Sequence, residues 1–170
     1  VAPGLGKAVK VAVSLSFAVR LEIGQPAPPM IEELESVLEF YLHQSTVAQP
    51  IEYFHGALLG FFHDEPVPLW VLQDDDPQYL RYVPDEGIAQ FTKRLGNLNV
   101  ALEPNASLEE WIRQVLATAE ECRNCAFLEN CGGYFKWPQP DYDCVGVMRI
   151  FSLLREAATE LRHDLEKGSP

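Results

Sequence analysis

Apolar and polar positions along this chain change their period several times, and each change marks an element. Over residues 10–23 (KVAVSLSFAVRLEI) they alternate, with β-branched residues frequent, which predicts a strand. A proline-rich connector occupies residues 25–29. Met30, Ile31, Leu34, Val37, Leu38, Tyr41 and Leu42 then recur at helical spacing and predict an amphipathic helix over residues 30–44. Residues 51–62 (IEYFHGALLGFF) read as a second, more apolar helix, with Pro50 at the start, where a missing N–H matters least.

The middle of the chain reads differently. Residues 67–72 predict a short buried strand, bounded by Pro66 and the acidic turn Asp74-Asp75-Asp76-Pro77. Residues 79–83 and 88–94 predict two arms of a hairpin. They are joined by Pro84-Asp85-Glu86-Gly87, where proline presets φ and glycine accepts a left-handed conformation. Ser107 is a fitting N-cap with Glu110 three residues on, opening a helix whose inward stripe is Leu108, Trp111, Ile112, Val115, Leu116 and Ala119. A last stripe, Val147, Met148, Phe151, Leu154, Ala158, Leu161 and Leu165, marks a long helix ending near Gly168. The fold class expected is α+β: an N-terminal strand–helix unit, a short hairpin, and a cysteine-rich loop clamped between two helices. The division expected is 1–64 for the strand–helix–helix region and 65–170 for a metal-binding domain.

Composition narrows the function classes. A length of 170 residues suits one domain or a domain with an appendage. The formal charge of −12 argues against nucleic acid, whose phosphates would be repelled. It leaves room for a partner with a basic patch. The longest apolar runs, such as residues 57–62, are too short to cross a bilayer, and no signal-peptide pattern is legible. A cytoplasmic protein with no membrane association is the expectation.

All four cysteines fall within 23 residues, as Cys122-x2-Cys125-x5-Cys131-x12-Cys144. A core uses cysteine as a small apolar filler and scatters it. Thiols this close together suit one tetrahedral object: zinc takes four thiolates in a closed structural site, and a cubane iron–sulfur cluster takes one thiolate per iron. Gly132 and Gly133 let the chain curl past a bulky centre. Two disulfides are a third reading, expected mainly in small secreted domains. Spacing alone does not rank iron above zinc. The site lies in an irregular loop whose apolar residues Phe127, Tyr134, Phe135 and Trp137 are expected to be buried by the flanking helices, so metal binding and local folding would be one event.

Residues 79–144 resemble the SPASM domain, found at the C-terminus of many radical S-adenosylmethionine enzymes that modify peptides. The resemblance rests on Pro84-Asp85-Glu86-Gly87, Leu95-Gly96-Asn97-Leu98, Ser107-Leu108-Glu109-Glu110 and Cys122-x2-Cys125-x5-Cys131-Gly132-Gly133, in the family's order. The cysteine spacing is specific and the other elements are individually weak. The chain departs from the family pattern at the cysteine expected after Cys131, where Phe135 stands, and near Phe91 and Thr92, where hairpin cysteines would be sought. In the family those absent residues hold the first auxiliary cluster. The four present here correspond to the second, so the resemblance implies a [4Fe–4S] cluster on Cys122, Cys125, Cys131 and Cys144. The C-x3-C-x2-C motif that ligates the S-adenosylmethionine-cleaving cluster is absent, so this chain does not perform that chemistry by itself.

The resemblance thus implies an iron–sulfur accessory protein, or a fragment of a peptide maturase. Its cluster would serve electron transfer, structure or substrate positioning, with a protein or peptide as partner. Residues 11–44 resemble the last strand–helix unit of the partial barrel that precedes such domains. The rival is a zinc-stabilised protein- or peptide-binding module without redox function. No catalytic residue is nominated, because no nucleophile or general base has a supporting context. His43, His55, His63 and His163 lack a short-spaced ligand pair and read as structural or surface residues. Asp74, Asp75 and Asp76 lack the glycine and distal glutamate of a calcium loop. Glu32, Glu33 and Glu35 read as a solvated face, and Gly4-Leu5-Gly6 has no strand before it. Arg123, Lys136 and Arg149 are candidate cations for an anionic cluster, with ordinary surface charge as the alternative.

Overall fold

The computed structural model describes residues 1–73, 108–137 and 139–168. Two compact units divide the chain: residues 1–67 with 143–170, and residues 68–142.

In the first unit, α1 (Leu5–Ser14) buries Val9 and Val13, one helical turn apart, against α2 (Pro28–His43). The α1 start is tied by Glu33, whose two carboxylate oxygens accept from the Gly4 and Gly6 amides at 3.1 and 3.3 Å. Such a carboxylate satisfies amides that the helix leaves unpaired and suits the positive end of its dipole. Pro28 and Pro29 open α2, and Met30, Ile31, Leu34, Val37 and Leu38 form its buried stripe. Next comes α3 (Glu52–Phe62), which packs on the long α8 (Val145–Gly168), as does α2. Val147, Ile150, Phe151, Leu154 and Ala158 are the buried residues of α8, and Phe151 meets Phe61 edge-on at 6.3 Å. Leu161 and Leu165 continue that stripe but are 45% and 60% exposed, because α8 has 24 residues against 11 in α3 and outruns it. Ion pairs Arg149–Glu35 and Arg162–Asp64 fix α8 to α2 and to the end of α3.

At Gly146 α8 lies close against α2. A Cβ there would stand 2.8 Å from Ile31 Cγ1 and 3.0 Å from Cγ2. Gly146→Val is therefore expected to destabilise the protein by about 2 kcal/mol through overpacking, read as a lower urea midpoint with unchanged slope.

The second unit opens with α4 (Leu69–Leu72) and resumes with α5 (Leu108–Thr118). After α5 the chain is extended at Ala119 and then forms the one-turn α6 (Glu120–Arg123). A further turn, α7 (Leu128–Cys131), leads into a 3-10 turn over Tyr134–Lys136.

The α+β class is overturned. Among the described residues every regular element is helical, and β structure is limited to one isolated parallel bridge, Val19 to Ile51. Residues 10–14 belong to α1, because burying Val9 and Val13 against α2 satisfies helical spacing and overrides a weak β-branched preference. Alternation survives at residues 20–23, where Leu21 and Ile23 are buried between exposed Arg20 and Glu22, yet among the described residues no neighbouring strand completes a ladder. The strand expected over 67–72 is replaced by α4. Pro68 precedes it in extended conformation, and its carbonyl accepts from Val71 and Leu72. An apolar run that short fits a buried helical turn as well as a strand. The hairpin over 79–94, the Asp74–Asp76 turn and the Ser107 cap lie outside the described residues. Among the described residues no helix is long and apolar enough to cross a membrane.

Candidate metal centre

Three of the four cysteines lie in the second unit, within ten consecutive residues. Cys122 sits on α6 and is buried, Cys125 follows α6, and Cys131 ends α7. All four cysteines are free thiols.

The chain turns sharply after Cys131. Gly132 and Gly133 are both left-handed, with φ of +56° and +71°, a conformation that disfavours a Cβ. Their turn brings the amides of Tyr134 and Phe135 back onto the Cys131 sulfur, to which both donate. Gly132 is fixed from the other side as well. Its carbonyl accepts from Trp70 Nε1 at 2.9 Å, and a Cβ on it would stand 3.0 Å from Trp70 Cδ1. Trp70 also meets Tyr134 edge-on at 4.9 Å, Tyr134 meets Phe135 at 5.6 Å, and Phe135 lies over Tyr142 at 6.3 Å. Phe127, Tyr134, Phe135 and Trp137 are all buried, as expected from the sequence.

Electrostatics connects the three sulfurs. Burial pushes the Cys131 thiol from 9.0 up to about 11, its two amide donors oppose that rise, and Cys122 and Cys125 add to it. Burial likewise raises Cys122, with Lys136 lowering it and Glu121 and Cys125 raising it further. In the metal-free protein a neutral Cys131 thiol is the form that the fold favours. Its contribution is fully present below 9.0 and is lost as pH rises through about 11. The metal-free wild type should therefore lose on the order of 2–3 kcal/mol more than Cys131→Ala over that range, measured by urea unfolding.

The donor chemistry fits a metal in kind. Amides aimed at a sulfur favour thiolate over thiol, and thiolates that bear on one another are relieved by a shared cation. The arrangement is not a closed cage. Among the described residues no group of three or more His, Cys, Asp or Glu side chains stands ready to hold a metal ion. Cys144 belongs to the first unit, where it immediately precedes α8 and its carbonyl accepts from Met148 at 2.9 Å.

The three nominated cations have distinct places. Arg123 donates to the Leu116 and Ala117 carbonyls and so caps α5. Arg149 is engaged by Glu35, which raises its pKa. Lys136 alone is buried beside a cysteine segment, paired with Glu121. Of the histidines, His43 lies 3.6 Å from Glu39, and His55 Nδ1 lies 2.9 Å from the Tyr41 hydroxyl. Sequence reasoning missed Trp70, whose contact with Gly132 spans 62 residues and has no local signal. It also missed the structural work of Glu33 and Glu35, read as a solvated face.

No family model matches the sequence, and comparison with curated proteins and with solved structures finds no match.

Proposed function

We propose that this chain is a metal-binding accessory protein, or part of a larger peptide-modifying enzyme, whose Cys122, Cys125, Cys131 and Cys144 hold one [4Fe–4S] cluster. The observation that carries the reading is the Cys131 turn: a partly buried cysteine whose sulfur is met by two backbone amides, with Cys122 and Cys125 bearing on it. The resemblance to SPASM domains supports iron over zinc. Cys144 enters as fourth ligand on its spacing in the sequence.

When bound, such a cluster supplies one-electron redox chemistry. With four thiolates it leaves no protein-free iron position, so its role is electron transfer, structure or substrate positioning. The chain's own residues would hold it: Gly132 and Gly133 set the turn, Tyr134 and Phe135 donate to sulfur, and Trp70 fixes Gly132. A protein or peptide is the partner that fits an acidic surface without a nominated catalytic group, and the cytoplasm is the compartment that keeps such thiols reduced. The structural-zinc alternative uses the same four thiolates.

Anaerobic reconstitution with iron and sulfide, then electron paramagnetic resonance after reduction, tests the choice. A signal typical of a reduced cubane supports the cluster. Its absence, with zinc held through the same treatment, moves the reading to the structural-zinc module.

A further inference from the structure

Lys136 is 2% exposed, the only lysine or arginine among the buried described residues. Burying an ammonium is unfavourable unless it is paired and hydrogen-bonded. Here its Nζ forms an ion pair with Glu121 and donates to the Tyr142 carbonyl at 2.6 Å. These two partners lie at the two ends of the cysteine loop. Glu121 is the residue before Cys122, on α6. Tyr142 closes a turn onto Gln139 and lies two residues before Cys144. Lys136 itself ends the 3-10 turn whose first two amides meet Cys131. One side chain therefore joins three segments that each lead to or from a cysteine.

We propose that Lys136 is the positioning residue of the cysteine loop, fastening the Cys122 segment through Glu121 and the approach to Cys144 through the Tyr142 carbonyl. The flexible four-carbon stem of lysine and its three donors suit this task, since one ammonium serves a carboxylate and a carbonyl in different directions. Glu121 is more than half exposed, so it meets Lys136 from the solvent side. The Tyr142 carbonyl accepts from the same ammonium, and the Tyr142 ring stacks on Phe135. The clamp exists in the metal-free chain. Its consequence for metal retention rests on the four-thiolate reading above.

The experiment uses the full metal-free chain, hydrogen exchange resolved by segment, and the variants Lys136→Met and Glu121→Gln. Lys136→Met should speed exchange about tenfold or more over residues 120–125 and over 139–142, leaving α3 and α8 unchanged. Glu121→Gln keeps the Tyr142 contact and should speed exchange over 120–125 alone. Lys136→Met leaving both segments unchanged would overturn the clamp, as would Glu121→Gln loosening both segments equally. Should Lys136→Met unfold the whole second unit, the Glu121→Gln pattern decides. In reconstituted samples Lys136→Met should release iron to a chelator about tenfold faster than wild type. Equal release rates would overturn the link to retention. A wild type that takes up neither iron nor zinc would sink the metal reading, and the exchange pattern would then judge the clamp alone.

Discussion

Cys131→Ser is expected to lower metal retention about a hundredfold or more, while changing the stability of the metal-free protein by less than about 1 kcal/mol. The asymmetry follows from what the sulfur does. In the metal-free chain a serine hydroxyl accepts from the same Tyr134 and Phe135 amides and fills nearly the same space, so the turn survives. With metal, a soft thiolate ligand is replaced by a poor one, and the free energy that couples binding to folding falls. Metal content by elemental analysis, and melting with and without metal, read the two halves separately. Equal metal content and equal melting in both proteins would exclude Cys131 as a ligand.

Trp70→Ala should have the largest effect on the metal-free fold, about 3–5 kcal/mol. The side chain is fully buried, packs edge-on against Tyr134 and donates to the Gly132 carbonyl. Removing it leaves a cavity beside the turn and takes the donor from a buried carbonyl. Trp70→Phe separates the two effects: it keeps most of the ring and loses the N–H, and is expected to destabilise by about 1–3 kcal/mol. Both should weaken metal retention, since Gly132 sets the direction of the amides that meet Cys131. Urea unfolding of metal-free protein gives the stabilities. Unchanged midpoints in both variants would remove Trp70 from the account.

Three helices of the first unit, α2, α3 and α8, were legible because each buries one long stripe. Met30 to Leu38, the apolar α3 and Val147 to Ala158 repeat at helical spacing with little competition from another period. Residues 10–23 misled because the run mixes two regimes. Val9 and Val13 serve a helix, while Leu21 and Ile23 serve an extended segment, and read together they give false alternation. Residues 67–72 offered no period at all. The four cysteines read as one group by their spacing, while the fold puts Cys122, Cys125 and Cys131 in the second unit and Cys144 in the first. Lys136 was legible as a candidate cation but not as a clamp. Nothing in Tyr-Phe-Lys-Trp says that the lysine turns inward, since its partners lie 15 and 6 residues away on separate segments. Trp70 and Glu35 were hidden for the same reason: their partners, Gly132 and Arg149, come from the far end of the chain.

The most direct test of the central claim is anaerobic purification of the full chain, with an absorption spectrum and iron, zinc and sulfide analysis on one sample. A brown protein with about four irons and four sulfides per chain is the expected result. A colourless protein that takes up neither iron nor zinc, even after reconstitution, would contradict it. One tightly held zinc without sulfide would contradict the cluster and leave a structural four-thiolate site.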